Sequence, residues 1–255
     1  MGDLIHGPKI FYEVPFDIPV LGRIRITETI VVSWVVMLII FLACFILTRN
    51  LKVEHISKRQ AIAEMLVEKA DNFVLGNMGE KFRYMIPFVA ALFSTSIISN
   101  LISLTGVFRS PTADINTEAA WAIVVFIMIT GQKIKAGGVG GYLKGFTQPI
   151  PVLTPFNVLS ELATPVSMAC RHFGNVLSGV VINALIYGSL IGASQALFGL
   201  FAGVKMGNAI GSVFPLFAMG LPAITSLYFD WFSGFMQAFI FCMLTTMYIA
   251  NAADE

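Results

Sequence analysis

After Arg171 the chain carries only four more charged residues, Lys205, Asp230, Asp254 and Glu255. So long a charge-poor tail has no place on a water-soluble surface, where charged residues make up about 25% of a typical domain. Across all 255 residues only 12% are charged and 56% are hydrophobic, with a mean hydropathy of +0.80. The expected fold is therefore an all-α integral membrane protein with several spans, organised as a single polytopic domain over residues 1–255. A net charge of +1 with no basic patch argues against a nucleic-acid partner. Cys44, Cys170 and Cys242 stand singly in apolar surroundings, without metal or disulfide spacing, and read as small packing residues.

Residues 1–26 are polar and broken by Pro8, Pro15 and Pro19, which suits a short external segment. No basic stretch precedes an apolar core there, so no cleaved signal peptide is expected. Residues 29–48 form an uncharged apolar run of about 20 residues, enough for one span. Residues 57–79 read as an amphipathic surface helix with Ile62, Met65, Leu66 and Phe73 on one stripe. A second span is expected at 84–105; its Ser94, Thr95, Ser96, Ser99 and Asn100 suit helix packing. A third, short run covers 119–130 and gives way to a flexible glycine-rich turn carrying Lys133, Lys135 and Lys144. Pro149, Pro151 and Pro155 mark an irregular connection, and Thr164-Pro165 reads as a capped helix start. From there the pattern stays helical past Gly199, ahead of a glycine-rich turn at 203–211.

Lysine and arginine set the orientation. The segment between the first two spans holds seven (Arg49, Lys52, Lys58, Arg59, Lys69, Lys81, Arg83), whereas the 106–118 loop holds only Arg109. The amino terminus is thus expected outside, the 49–83 segment in the cytoplasm, and the carboxyl terminus inside after five crossings. That count makes 212–250 one long, strongly tilted crossing, with Pro222 as a bend; hydropathy alone permits two upright ones.

Arg171 cannot lose its proton. At mid-membrane an arginine costs about 2.5–3.5 kcal/mol on insertion scales, so it reads as functional unless it snorkels to the headgroups. At about 100° per residue, Asn175 lies about 40° from Arg171, and Ser178 and Ile182 each within about 20°. Asp230 and Gln237 share a face in the last helix. Such groups relay protons or line a wet cavity, or they serve as packing hydrogen bonds. An Arg171–Asp230 ion pair is the obvious partner hypothesis. His172 points about 100° from Arg171, which favours a packing or surface role over proton transfer.

Three ordered stretches, SELATPVSMACRHFGNVLSG, PTADIN (111–116) and QAFIFCMLTTMYI (237–249), resemble the a subunit of the membrane (Fo) sector of bacterial F-type ATP synthases. The resemblance implies a non-catalytic stator with two aqueous half-channels, separated by Arg171, that couples proton or sodium flow to rotor rotation. It implies a c-subunit ring, b-type peripheral stalk subunits and other ATP synthase subunits as partners in the bacterial cell membrane. No cofactor, metal or nucleotide site is expected on this chain. Carried over by position, Asn175 and Gln237 belong to the interface around Arg171, with the ion-pathway helices spanning 160–250. Asp114 and Asn116 fall at the external mouth, and Glu161 near the internal half-channel. The sequence departs from the family in reading RHFGN where RLFGN is common, and in carrying Val180 where many members have glutamate. Asp230 is then expected to be the remaining titratable relay of the outer half-channel. The alternative is an independent secondary transporter using Arg171 and Asp230; a membrane scaffold is a third reading.

Overall fold

The computed structural model describes residues 9–18, 22–103, 108, 110–218, 220, 224–225 and 227–253. Pro222 and Arg109, which entered the expectations above, lie outside the described residues. Among the described residues, five helical segments are long and apolar enough to cross a membrane: Glu28–Thr48, Glu80–Ser103, Ile115–Gly145, Pro151–Phe201 and Leu227–Asn251. Their number equals the five crossings expected, although several boundaries move.

The first segment is not merely irregular. Strands β1 (Ile10–Ile18) and β2 (Gly22–Thr27) pair as an antiparallel hairpin. Pro15 cannot donate to the ladder, and it falls between Glu13 and Asp17, where the register slips. Arg25 Nε meets Glu13 Oε1 at 3.0 Å across the pair. Strand β2 passes directly into helix α1 (Glu28–Thr48), whose Thr29, Val32 and Val36 are its buried residues.

Helix α2 (Lys58–Met78) is capped as its sequence suggests, with Ser57 Oγ accepting from Gln60 N and Gly79 following at φ +80°. Its apolar stripe divides. Ile62, Met65 and Leu66 remain exposed, whereas Val74 and Met78 join the main core and Phe73 packs on Phe239, ring centroids 5.6 Å apart. A 3-10 turn, Glu80–Met85, leads into helix α3 (Ile86–Ser103).

Helix α4 (Ile115–Gly145) runs straight through the stretch expected to be a flexible turn, its helical geometry interrupted only at Gly138, φ +70°. Glycines weaken a helix by about 1 kcal/mol each without forbidding it. Helix α5 (Thr154–Ala202) starts ten residues before the expected Thr164-Pro165 cap, with Pro155 in its first turn and Pro165 inside it. Threonine 164 does not cap; its hydroxyl donates to Ser160 O. A 49-residue helix is about 73 Å long. It can stay within a hydrocarbon layer about 30 Å thick only if steeply inclined.

The glycine-rich turn contracts to Gly203, φ +80°, after which helix α6 (Val204–Val213) folds back along α5. Side-chain-free contact makes this possible. A Cβ on Gly207 would collide with the backbone of Gly199, and one on Gly211 would stand 2.7 Å from Gln195 Cα. The expected single run over 212–250 therefore divides. α6 ends at Val213, a 3-10 turn spans Leu216–Ala218, and the crossing itself is a π-helical stretch, Leu227–Ser233, continuing as helix α7 (Gly234–Asn251). The core lies between α2, α3, α4, α5 and α7, around Val89, Val125, Met168 and Phe241. Cys242 packs within it, but Cys44 and Cys170 are exposed, contrary to the packing role expected of all three.

Replacing Gly207 with leucine should destabilise the α5–α6 hairpin by about 1–3 kcal/mol through overpacking. The measurement is the midpoint of unfolding in mixed detergent micelles as the dodecyl sulfate fraction rises. An unchanged midpoint would show that α6 does not rest on α5.

Candidate ion-pathway site

The polar residues gather in three places. At the start of α4, Asp114 acts as the N-cap: its Oδ1 accepts from Asn116 N and Asn116 Nδ2, both at 3.0 Å. Its Oδ2 accepts from Thr29 Oγ1 at 2.9 Å, which ties the start of α1 to the start of α4. Both carboxylate oxygens of Asp114 are thus engaged in holding structure. Next to it a buried network runs inward. Ser110 Oγ and Thr112 Oγ1 lie 2.6 Å apart, and Thr112 Oγ1 donates to Asn100 Oδ1 at 2.6 Å. Asn100 Nδ2 then donates to Gly234 O at 3.1 Å. Gly234 is needed there, because a Cβ would stand 3.1 Å from that of Asn100.

The second place joins α5 to the π-helical stretch. Asn175 Nδ2 donates to Ser233 O at 3.2 Å and Ser233 Oγ donates to Asn175 Oδ1 at 2.9 Å. A π-helix shifts backbone hydrogen bonds out of the α register, a feature often found at functional sites. Beside the pair lies a cavity of about 20 Å³ lined by Asn100, Ser103, Asn175, Val176, Phe229 and Gly234, room for about one water. Ser178 lies on the same stripe, but its hydroxyl donates back to Gly174 O and Asn175 O within α5. Gln237 is buried, and its Nε2 lacks a hydrogen-bond partner among the described residues.

The third place is far along α4. Lys133 Nζ meets Glu161 Oε2 at 3.1 Å, with both side chains largely covered, and Glu161 Oε1 is buried without a hydrogen-bond partner among the described residues. Nineteen residues separate Asp114 from Lys133, about 28 Å along a helix, close to the thickness of a hydrocarbon core. Arg171 stands between these ends. Its neighbour His172 contacts Glu118 of α4, with Nδ1 to Oε2 at 2.9 Å and both side chains fully buried. Arg171 itself is exposed on α5 and has no ion pair among the described residues. Asp230 belongs to the π-helical stretch; its side chain lies outside the described residues, as does any test of an Arg171–Asp230 pair.

Sequence reasoning missed the Glu118–His172 contact and the role of Asn100. A carboxylate just inside the third span was the available signal for the first, and His172 is a buried partner, not a surface residue. Among the described residues no three His, Cys, Asp or Glu side chains converge as metal ligands would.

These features define a polytopic helical membrane protein with polar groups near both ends of its span and a lone exposed cation on its longest helix. Residues 30–250 match the family described as ATP synthase A chain, and the chain belongs to that family, the a subunits of the Fo sector of bacterial F-type ATP synthases. It is 33% identical to "ATP synthase subunit a 1" of Crocosphaera subtropica over 91% of this chain and 89% of that one. It is 32% identical to "ATP synthase subunit a" of Desulforamulus reducens, over 89% of this chain and 79% of that one. A third relative, from Propionigenium modestum, is described as "ATP synthase subunit a, sodium ion specific"; it is 29% identical, over 99% of this chain and 87% of its own length.

The Asn175–Ser233 pair yields a direct test. A double-mutant cycle with Asn175→Ala and Ser233→Ala should return a coupling of about 0.6–1.7 kcal/mol, the range for hydrogen bonds between membrane helices. A coupling of zero would separate α5 from the π-helical stretch energetically.

Proposed function

We propose that the chain is the stator ion-channel subunit of an F-type ATP synthase, a single polytopic domain that couples proton or sodium flow to rotation of a c-subunit ring. The observation that carries this is the setting of Arg171. It is exposed on the longest helix, on a stripe shared by Ser167, Asn175, Ser178, Ile182 and Leu185, none of which is buried. A largely exposed, otherwise uncharged stripe carrying one permanent cation suits a moving partner that brings carboxylates past it in turn. Each carboxylate is favoured as the anion while it faces the guanidinium and leaves neutral once it has been reloaded.

Asn175, with its water-sized cavity, Gln237 and Ser178 belong to the interface around Arg171 on this reading, Asp230 is the relay of the outer half-channel, and Asp114 and Asn116 frame its mouth. Glu161 with Lys133 belongs to the inner one. The amino terminus is outside and the carboxyl terminus is cytoplasmic. Arg171 repels a cation passing directly between the half-channels. A unit charge crossing 100 mV gains about 2.3 kcal/mol, while a contact at about 4 Å is worth roughly 4 kcal/mol at an effective dielectric of 20. A drier, tighter contact would hold the rotor still, and the exposure of Arg171 supports a solvated one. The b-type stalk and the other synthase subunits supply the remaining partners, and nucleotide chemistry belongs to them. No observation favours the independent transporter.

In the reconstituted complex, Arg171→Ala should leave the subunits assembled and reduce ATP-driven ion uptake to background; normal uptake by that assembled variant refutes the reading. Asp230→Asn should slow uptake and move its pH profile, and an unmoved profile takes Asp230 out of the pathway.

A further inference from the structure

Glu118 and His172 take no part in the steps above, yet theirs is the most enclosed charged contact among the described residues. Both side chains are fully buried at a 2.9 Å separation. His172 Nε2 faces Ser96 Oγ of α3 at 3.4 Å. Trp121 of α4 and Phe241 of α7 cover the ring, with centroids 6.2 and 5.7 Å away. One residue of α5 is therefore held from three other helices. The 2.9 Å approach is not aligned as a hydrogen bond, so close packing and enclosure do most of the holding.

At this level helix α5 is otherwise held by the Asn175–Ser233 hydrogen bonds, which are only part-buried, and by apolar packing. Met168 and Ala169 are its nearest buried residues, and the positions that follow, Phe173 to Val176, are half-buried. Small or half-exposed contacts define a helix's rotation poorly. A buried polar pair defines it sharply, because turning the helix would strand a carboxylate in an apolar interior. Arg171 precedes His172 by one residue, about 100° around the helix. With His172 drawn inward, Arg171 is turned out of the bundle.

We propose that Glu118 and His172 are positioning residues that fix the rotation of α5 about its axis and so aim Arg171 at the exposed face. The functional half of this inference rests on the role given to Arg171 above; the orientational half does not. Cys170, exposed and adjacent to Arg171, reports the rotation without any added label.

The test uses the whole complex in proteoliposomes with two readouts: ATP-driven ion uptake, and the rate of Cys170 alkylation measured on its own peptide. Glu118→Ala should lower uptake by about tenfold or more, as misplacement of a reacting group by an ångström does, and should change the alkylation rate. The exchanged pair, Glu118→His with His172→Glu, should bring both readouts back toward the parent values. Should Glu118→Ala fail to assemble, the volume-preserving pair Glu118→Leu with His172→Leu removes the polar contact while filling the core. It should show the same two changes. Parental uptake and alkylation in whichever variant assembles overturn the proposal. Lost uptake with unchanged alkylation, and no recovery in the exchanged pair, also overturns it, since the residues would then handle the ion themselves. A changed alkylation rate together with normal pumping by Arg171→Ala would leave the orientation standing and remove the function assigned to Arg171.

Discussion

A guanidinium keeps its charge wherever it is placed, and lipid charges heavily for it, so a chain that sets one on a long apolar helix must arrange everything else around it. Helix α5 is that helix here. Its stripe around Arg171 is left largely open, while an adjoining side leans on α3, α4 and α7 through Met168, Ala169 and His172. Beyond the arginine, α6 folds back on α5 through bare glycine contacts. Asn175 is tied to Ser233 in the stretch where the last crossing departs from α-helical form. The face around Arg171 stays largely free, with Asn175 at its edge tied to the last crossing.

The polar groups sort by what they are attached to. Asp114 and Thr112 are engaged in caps and inter-helix bonds that fix α1, α3 and α4 at one end. Buried hydrogen-bonding atoms without a partner among the described residues, on Gln237, Glu161 and Ser99, are of another kind. Such groups call for water or an ion when buried. Of these, Gln237 and Glu161 are residues that the proposed pathway uses.

Much of this was legible in the sequence where the signal is local. Run length located the α1 and α3 spans, and Ser57 and Gly79 marked the ends of α2. Local signals also misled. Thr164-Pro165 has the form of a helix start, but Pro165 is accommodated inside α5, as membrane helices allow when neighbours satisfy the freed backbone. The glycines after 136 suggested a turn, although α4 continues through all but Gly138. What the sequence hid was tertiary. Nothing local to Glu118 points to a residue 54 positions away, and nothing near Gly207 announces that its partner is the backbone of Gly199.

The hairpin at the amino-terminal end has a mechanical consequence. Strand β2 becomes α1 without a linker, and Glu28 N–H bonds to Lys9 O at 2.8 Å, so the junction is braced on both strands. Ile10, Phe11 and Tyr12 stay bare on the hairpin. Whatever those three side chains rest against is tied, through one hydrogen-bonded junction, to a rod of 21 residues, about 32 Å long.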